Sequence, residues 1–242
     1  MHISFSGVIA PYTYNCPYAH KLRNILKLKI PKKEESSAEE QAEDQSRRQR
    51  GIELHQKLSD YLKNIEDSFN FTTSTIENVK SRLQPENIFG VEHTFYFDEM
   101  FNPLKEIPEN KNEDFISLTP DLFIINKDGS ADLYDWKFAN SEFGIARHYD
   151  ELSFFLSGLI SKFVAVYEWR IHIHFPEEDY TLPIRTYNFS SAARIQFNMQ
   201  NRIDKILTDK QLKATPSKAR CYFCDRRSED TGGSGQCDLS MR

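Results

Sequence analysis

No apolar run in the 242-residue sequence approaches the roughly 20 residues that a membrane-spanning helix needs, so no membrane partner is expected. The N-terminal stretch MHISFSGVIAPYTYNCPYAHKLR lacks the charged-then-apolar order of a secretory signal, and a cytoplasmic setting follows as the expectation. Basic residues are not in surplus. Lys and Arg number 31 against 36 Asp and Glu, the net charge is -5, and the pI is near 5.8. Bulk electrostatics therefore does not draw the whole molecule to polyanions, and any attraction has to come from local patches. Internal repeats are absent. Cysteine is scarce, with four in the chain, so a disulfide-dense scaffold is not indicated.

What is present is a hydrophobic fraction of 39% with a mean hydropathy of -0.62, the balance of a soluble protein. The length suits one large domain, or a domain with appendages, and can bury a substantial core. Acid is concentrated in Glu34, Glu35, Glu39, Glu40, Glu43 and Asp44. Basic residues cluster at Lys21 to Lys33, at Arg47, Arg48 and Arg50, and at Lys213 to Arg227. Aromatics interleave with two of these clusters, through Tyr12, Tyr14 and Tyr18 and through Tyr222 and Phe223. Such mixtures can hold phosphates and stack bases, although a charge run is more often a solvated face.

A helix is expected from Tyr18 to Ile30, ended by Pro31. Residues 32–50 are almost wholly polar and form either a linker or the exposed start of the next helix. From Gly51, GIELHQKLSDYLKNIEDSF places Ile52, Leu54, Leu58, Tyr61, Leu62 and Ile65 at helical spacing. A short helix over 75–84 stops at Pro85. NIFGVEHTFYFDEM reads as a strand. In FGIARHYDELSFFLSGLISKF, Tyr149, Leu152, Phe155, Leu156, Leu159 and Phe163 lie on or near one helical face. The strand AVYEWRIHIHFP and a helix over 191–207 complete a mixed α/β sheet with packed helices.

The most informative segment is ISLTPDLFIINKDGSADLYDWKFA. LFIIN and ADLYDWKFA read as two strands, and Lys127-Asp128-Gly129-Ser130 carries an Asp-Gly turn signal between them. Strand alternation puts Asp135 and Lys137 on one face and Trp136 on the other. Asp121 reaches the same patch if the strands pair. Two carboxylates and an ammonium at a sheet's end suit a metal ion that activates a water, with a cation to offset developing negative charge. An ordinary surface hairpin with an Asp–Lys pair has the same local pattern.

Cys221 and Cys224 form a CxxC, Cys237 follows after twelve residues, and Cys16 stands alone near the other end. The spacing favours a metal centre over disulfides and leaves zinc and an iron–sulfur cluster both open.

Together these residues resemble the RecB-like branch of the PD-(D/E)xK nuclease superfamily, and within it the iron–sulfur exonucleases of the CRISPR-adaptation and AddB types. The resemblance spans nearly the whole chain, from Asn15-Cys16-Pro17-Tyr18 to Cys237. It implies a mixed central sheet flanked by helices in a single domain over 1–242. Residues 1–50 would bring the first cluster cysteine, 51–207 the nuclease core and 208–242 the cluster-binding tail. It further implies a 4Fe–4S cluster on Cys16, Cys221, Cys224 and Cys237 that joins the two ends, with Zn²⁺ as the alternative at those cysteines. Gly51-Ile-Glu-Leu-His55 matches the family's Gly-x-x-x-His signature, which makes His55 a ligand to Mg²⁺ or Mn²⁺ beside Asp121, Asp135 and the backbone carbonyl of Trp136. Lys137 becomes the catalytic lysine, and Glu92 a secondary acidic candidate. The family's Gln-x-x-x-Tyr is replaced here by Glu151 and Phe155, with Tyr149 as a substitute for the lost phenol. The expected activity is hydrolysis of DNA, exonucleolytic on single-stranded ends, alone or beside a helicase or DNA-processing complex. A catalytically weak or silent DNA-binding module is the alternative.

Overall fold

The hairpin is where local chemistry dictates structure most directly. In the computed structural model, which describes residues 2–5, 38–108, 114–138 and 145–208, strands β6 (Leu122–Ile125) and β7 (Ser130–Trp136) pair antiparallel. Gly129 takes φ 82° at the turn, a conformation that L side chains resist, and its N–H donates to Asn126 O at 3.0 Å. Asp128 Oδ1 accepts from Ser130 N at 2.9 Å and from Ser130 Oγ at 2.7 Å, which closes the turn. The ladder then sets Leu122 opposite Tyr134 and Ile124 opposite Asp132.

The remaining elements run in chain order: β1 (His2–Ile3), α1 (Ala38–Leu62), α2 (Ser74–Arg82), β2 (Ile88–Val91), β3 (Phe95–Phe97), β4 (Pro103–Leu104) and β5 (Phe115–Leu118). After the hairpin come α3 (Ile145–Lys162), β8 (Glu168–Phe175), a 3-10 turn (Pro176–Glu178), β9 (Tyr180–Thr181), β10 (Arg185–Asn188) and α4 (Phe189–Thr208). The larger sheet is ordered β10-β8-β7-β6-β2, with β9 paired to β8. β7 and β8 are parallel, joined through α3, and the other pairs of this sheet are antiparallel. β5 and β4 flank β3 in a smaller antiparallel sheet. His2 lies beside β5, its Nε2 2.6 Å from Ser117 Oγ and its ring stacked on Phe115. The architecture is thus α/β, with mixed sheets flanked by helices.

One face of the larger sheet is covered by α1 and α2. Leu54, Leu58, Tyr61 and Leu62 of α1 and Ile76 and Val79 of α2 form a common core with Leu122, Ile124, Tyr134 and Trp136 of the sheet. Thr73 caps α2, accepting from Ile76 N, and its hydroxyl also meets His174 Nε2 at 3.1 Å, tying the helix start to β8. The opposite face meets α3 and an aromatic cluster in which Phe163 contacts Phe95 and Phe123.

Of the two readings of residues 32–50, the helix start holds from Ala38 onward, and its residues Gln45–Arg50 are exposed. NIFGVEHTFYFDEM is not one strand. It breaks into β2 and β3, which belong to different sheets, because Glu92 takes a left-handed φ of 49°. The apolar face of α3 holds at Tyr149, Leu152, Leu156 and Leu159, all buried as expected, but Phe154 is fully buried against Phe101 where Phe155 is only half-buried. The expected helix over 18–30 lies outside the described residues.

The chain divides into two compact units. One is made of Met1–His2 and Gln45–Gln200, the other of Ile3–Asp44 and Asn201–Arg242. Among the described residues, no helix is long and apolar enough to cross a membrane.

Candidate active site

Asp121 sits one residue before β6, next to the ladder pair Leu122 and Tyr134, so its carboxylate comes across to the end of β7. Its Oδ2 accepts the N–H of Trp136 at 2.7 Å, and its carbonyl accepts the N–H of Glu92 at 2.9 Å. The left-handed turn at Glu92 therefore does two things: it moves the chain from one sheet to the other and holds a third acid beside Asp121. A non-glycine residue in that conformation costs on the order of 1 kcal/mol.

Asp135 and Lys137 project from β7 toward α3. Lys137 Nζ lies 2.8 Å from Asp135 Oδ1 and 3.9 Å from Glu151 Oε2 of α3. Lys137 N donates to His174 O at 2.9 Å, so β8 holds the backbone at this point. Asp135 is 4% exposed, and its second oxygen, Oδ2, is buried with no hydrogen-bond partner. His55 comes from α1, where its ring stands edge-on to Phe138 and its Nδ1 lies 3.7 Å from Asp121 Oδ2.

The electrostatics follow from the crowding of acids in a poorly hydrated place. Burial pushes the carboxyls of Asp121 and Asp135 well above the ordinary carboxylate range. The charge of Asp121 adds to the effect on Asp135, and Lys137 opposes it on both. Lys137 itself resists burial. Desolvation acts to lower its pKa, but Asp135, Glu151 and Asp121 together raise it, so it stays an ammonium. With one ammonium facing two carboxyls, both keep a proton into the neutral range, and neither ionises as an ordinary aspartate does. Burial, followed by the charge of Lys137, lowers the pKa of His55 and favours the neutral imidazole, the form that ligates metals.

Asp121, Asp135, Glu92 and Glu151 thus surround a single ammonium and a neutral imidazole. Oxygen-rich donors of this kind fit a hard divalent cation such as Mg²⁺ or Mn²⁺, and the orphaned Oδ2 of Asp135 is an available donor atom. The donor atoms have not gathered into a preformed cage: among the described residues, no group of three or more His, Cys, Asp or Glu is arranged to hold a metal ion.

The sequence-derived residues His55, Asp121, Asp135, Trp136, Lys137, Glu92 and Glu151 are therefore neighbours around one end of the larger sheet. Tyr149 is not available to the cluster. It is buried, its hydroxyl donates to Pro183 O at 2.8 Å, and Arg185 covers its ring at 3.4 Å. Cys16, Cys221, Cys224 and Cys237 lie outside the described residues.

Sequence reading missed a second polar centre on the opposite face of β7. There Asp132, 2% exposed, accepts from Arg82, from His172 at 2.8 Å, from Asn126 at 3.0 Å and from Arg170 at 3.0 Å. Burial alone would raise the pKa of its carboxyl, but His172, Asn126 and Arg82 hold it well below the usual range. These residues line a cavity of about 840 Å³ together with Tyr134 and Ser74. The available signal was the alternation of β7, which puts Asp132 on the face away from Asp135.

No family model matches the chain, and no curated protein matches it. Among solved structures the chain is similar to "Crystal structure of SSO0001", with a TM-score of 0.47 and 15% sequence identity over 100% of this chain and 88% of that one, a likeness too low to carry a functional argument.

Proposed function

We propose that the chain is a metal-dependent nuclease of the PD-(D/E)xK type that hydrolyses phosphodiester bonds in DNA, acting exonucleolytically on single-stranded ends. The observation that carries this reading is the grouping of Asp121, Asp135 and Lys137 at one end of a sheet, with Asp135 Oδ2 left unpartnered. His55, Asp121, Asp135 and the Trp136 carbonyl would hold Mg²⁺ or Mn²⁺. When bound, such an ion lowers the pKa of a coordinated water and polarises the scissile phosphate. Lys137 offsets the charge that grows on the phosphoryl oxygens as water oxygen adds to phosphorus and the P–O bond to the leaving sugar breaks. The leaving oxygen takes a proton, giving a phosphate monoester and a free hydroxyl. Glu151, 3.9 Å from the ammonium, helps Asp135 to hold Lys137.

The resemblance, whose cysteine order this chain reproduces, supports a 4Fe–4S cluster on Cys16, Cys221, Cys224 and Cys237, with Zn²⁺ as the competing occupant that spacing alone leaves open. Iron and sulfide at stoichiometric levels in a brown protein distinguish the first from the second. A helicase or other DNA-processing complex is the corresponding partner class.

The test is digestion of end-labelled linear and circular single-stranded DNA with Mn²⁺, with Mg²⁺ and with chelator. Metal-dependent loss of the linear substrate alone supports the exonuclease. Cleavage of neither substrate leaves a DNA-binding module without turnover, the reading favoured by Tyr149 being committed to Pro183 and Arg185.

A further inference from the structure

α3 presents more than Glu151 to the site. His148 precedes Glu151 by three residues, so the two share a helix face. Glu151 reaches to within 3.9 Å of the Lys137 ammonium. His148 Nδ1 is buried and has no hydrogen-bond partner. An imidazole nitrogen removed from water without a partner is uncommon in a folded protein and calls for an explanation. Burial first, and then the charges of Lys137 and Arg147, hold the ring down to about 4, so at neutral pH it carries one N–H and no charge.

A phosphate approaching the cluster meets four carboxyls and a lysine already engaged by Asp135 and Glu151. Close approach needs a donor that brings no negative charge of its own. His148 is such a donor, one helical turn from Glu151.

We propose that His148 is a positioning residue whose Nδ1–H donates to a phosphate oxygen of the strand lying in the Asp121–Asp135–Lys137 site. The inference rests on the reading of that site as a phosphodiesterase centre. The role is guidance of the strand rather than participation in bond breaking, so it registers in binding and in KM before it registers in kcat.

The experiment uses the full chain and two variants, His148→Ala and His148→Asn, the asparagine amide being able to stand in for Nδ1–H. Binding of a fluorescein-labelled single-stranded oligodeoxynucleotide is read by anisotropy with Ca²⁺, and cleavage is read with Mn²⁺. His148→Ala is expected to weaken binding and raise KM by about tenfold, the size of one lost hydrogen bond to a charged acceptor, with kcat little changed. His148→Asn is expected to recover most of that loss, and neither variant is expected to melt below the wild type. Unchanged binding in His148→Ala, or equal losses in both variants with lowered melting temperatures, would overturn the proposal. Binding without cleavage by the wild type overturns the hydrolytic reading alone, and the anisotropy ratio still decides the role of His148. Absence of binding by the wild type overturns both.

Discussion

Lys137 Nζ sits 2.8 Å from one oxygen of Asp135, while the other oxygen of that carboxylate is buried without a partner. The lysine compensates half of the group and leaves the other half for a ligand. Removing either residue should therefore abolish chemistry without the same cost to the fold. Asp135→Ala and Lys137→Ala are each expected to lower kcat/KM on labelled single-stranded DNA by roughly a thousandfold or more, which corresponds to about 4 kcal/mol of transition-state stabilisation. Full metal-dependent activity in both variants would remove the assignment.

The same cluster predicts an unusual dependence of stability on pH. Asp121 and Asp135 have folded-state pKa values raised above their unfolded ones, so the stability they contribute is fully present below about pH 4 and is lost as pH rises through the raised values. Asp132 acts in the opposite sense. Its folded value is depressed, so its contribution is present above about pH 4 and lost on further acidification. In chelator the melting temperature should pass through a maximum on the acid side of neutrality and decline toward alkaline pH. Added Mn²⁺ should flatten that alkaline decline by replacing the proton, and Asp121→Asn should remove part of the decline even in chelator. A melting temperature that rises steadily from pH 5 to pH 9 in chelator would contradict this account (these limits bracket roughly the neutral range used for such titrations).

Two glycines should respond in opposite directions to the same substitution. Gly51 lies inside α1, and a Cβ built there meets nothing within 4 Å. Gly51→Ala should stabilise the protein by about 0.8 kcal/mol, measured as a shift in the urea midpoint. Gly158 of α3 is packed so closely that a Cβ would stand 2.2 Å from Leu118 Cδ1 and 2.8 Å from the Phe97 ring. Gly158→Ala should destabilise by about 1–3 kcal/mol. If Gly51→Ala also lowers cleavage while raising stability, the open flank of α1 serves substrate approach.

The polar centre behind the site is expected to matter for stability rather than turnover. Asp132→Ala leaves Arg82, Arg170 and His172 without their common acceptor and should cost on the order of 3 kcal/mol in chemical denaturation. Its KM for DNA should be unchanged where the protein remains folded. A selective rise in KM at wild-type stability would instead make the cavity a substrate contact.

Much of the cluster was legible because it depends on rules of short range. The Asp-Gly turn fixes the hairpin register, and the register fixes which side chains of β7 face Asp121. The helix from Gly51 was legible from its periodicity, and it delivers His55. What escaped were features decided by tertiary packing. Nothing local marks Glu92 for a left-handed φ, since glutamate has no intrinsic preference for it, and the break between β2 and β3 is stabilised by its bond to the Asp121 carbonyl. Phe154 and Phe155 are interchangeable by composition, and the one that meets Phe101 across the chain is the one fully buried. Tyr149 is drawn out of the site by Pro183 and Arg185, residues more than thirty positions away in the chain.

The two faces of β7 also give assembly a self-check. A slip of one residue against its neighbours would turn every side chain of the strand to the other face. Asp135 would then leave the face it shares with Asp121, while Asp132 would lose donors that reach it from α2, from the end of β6 and from β8. Those donors converge on Asp132 in one register alone, so a chain that satisfies the hidden aspartate has also aligned Asp135. Fidelity at the candidate site is in this sense inherited from residues that never face it.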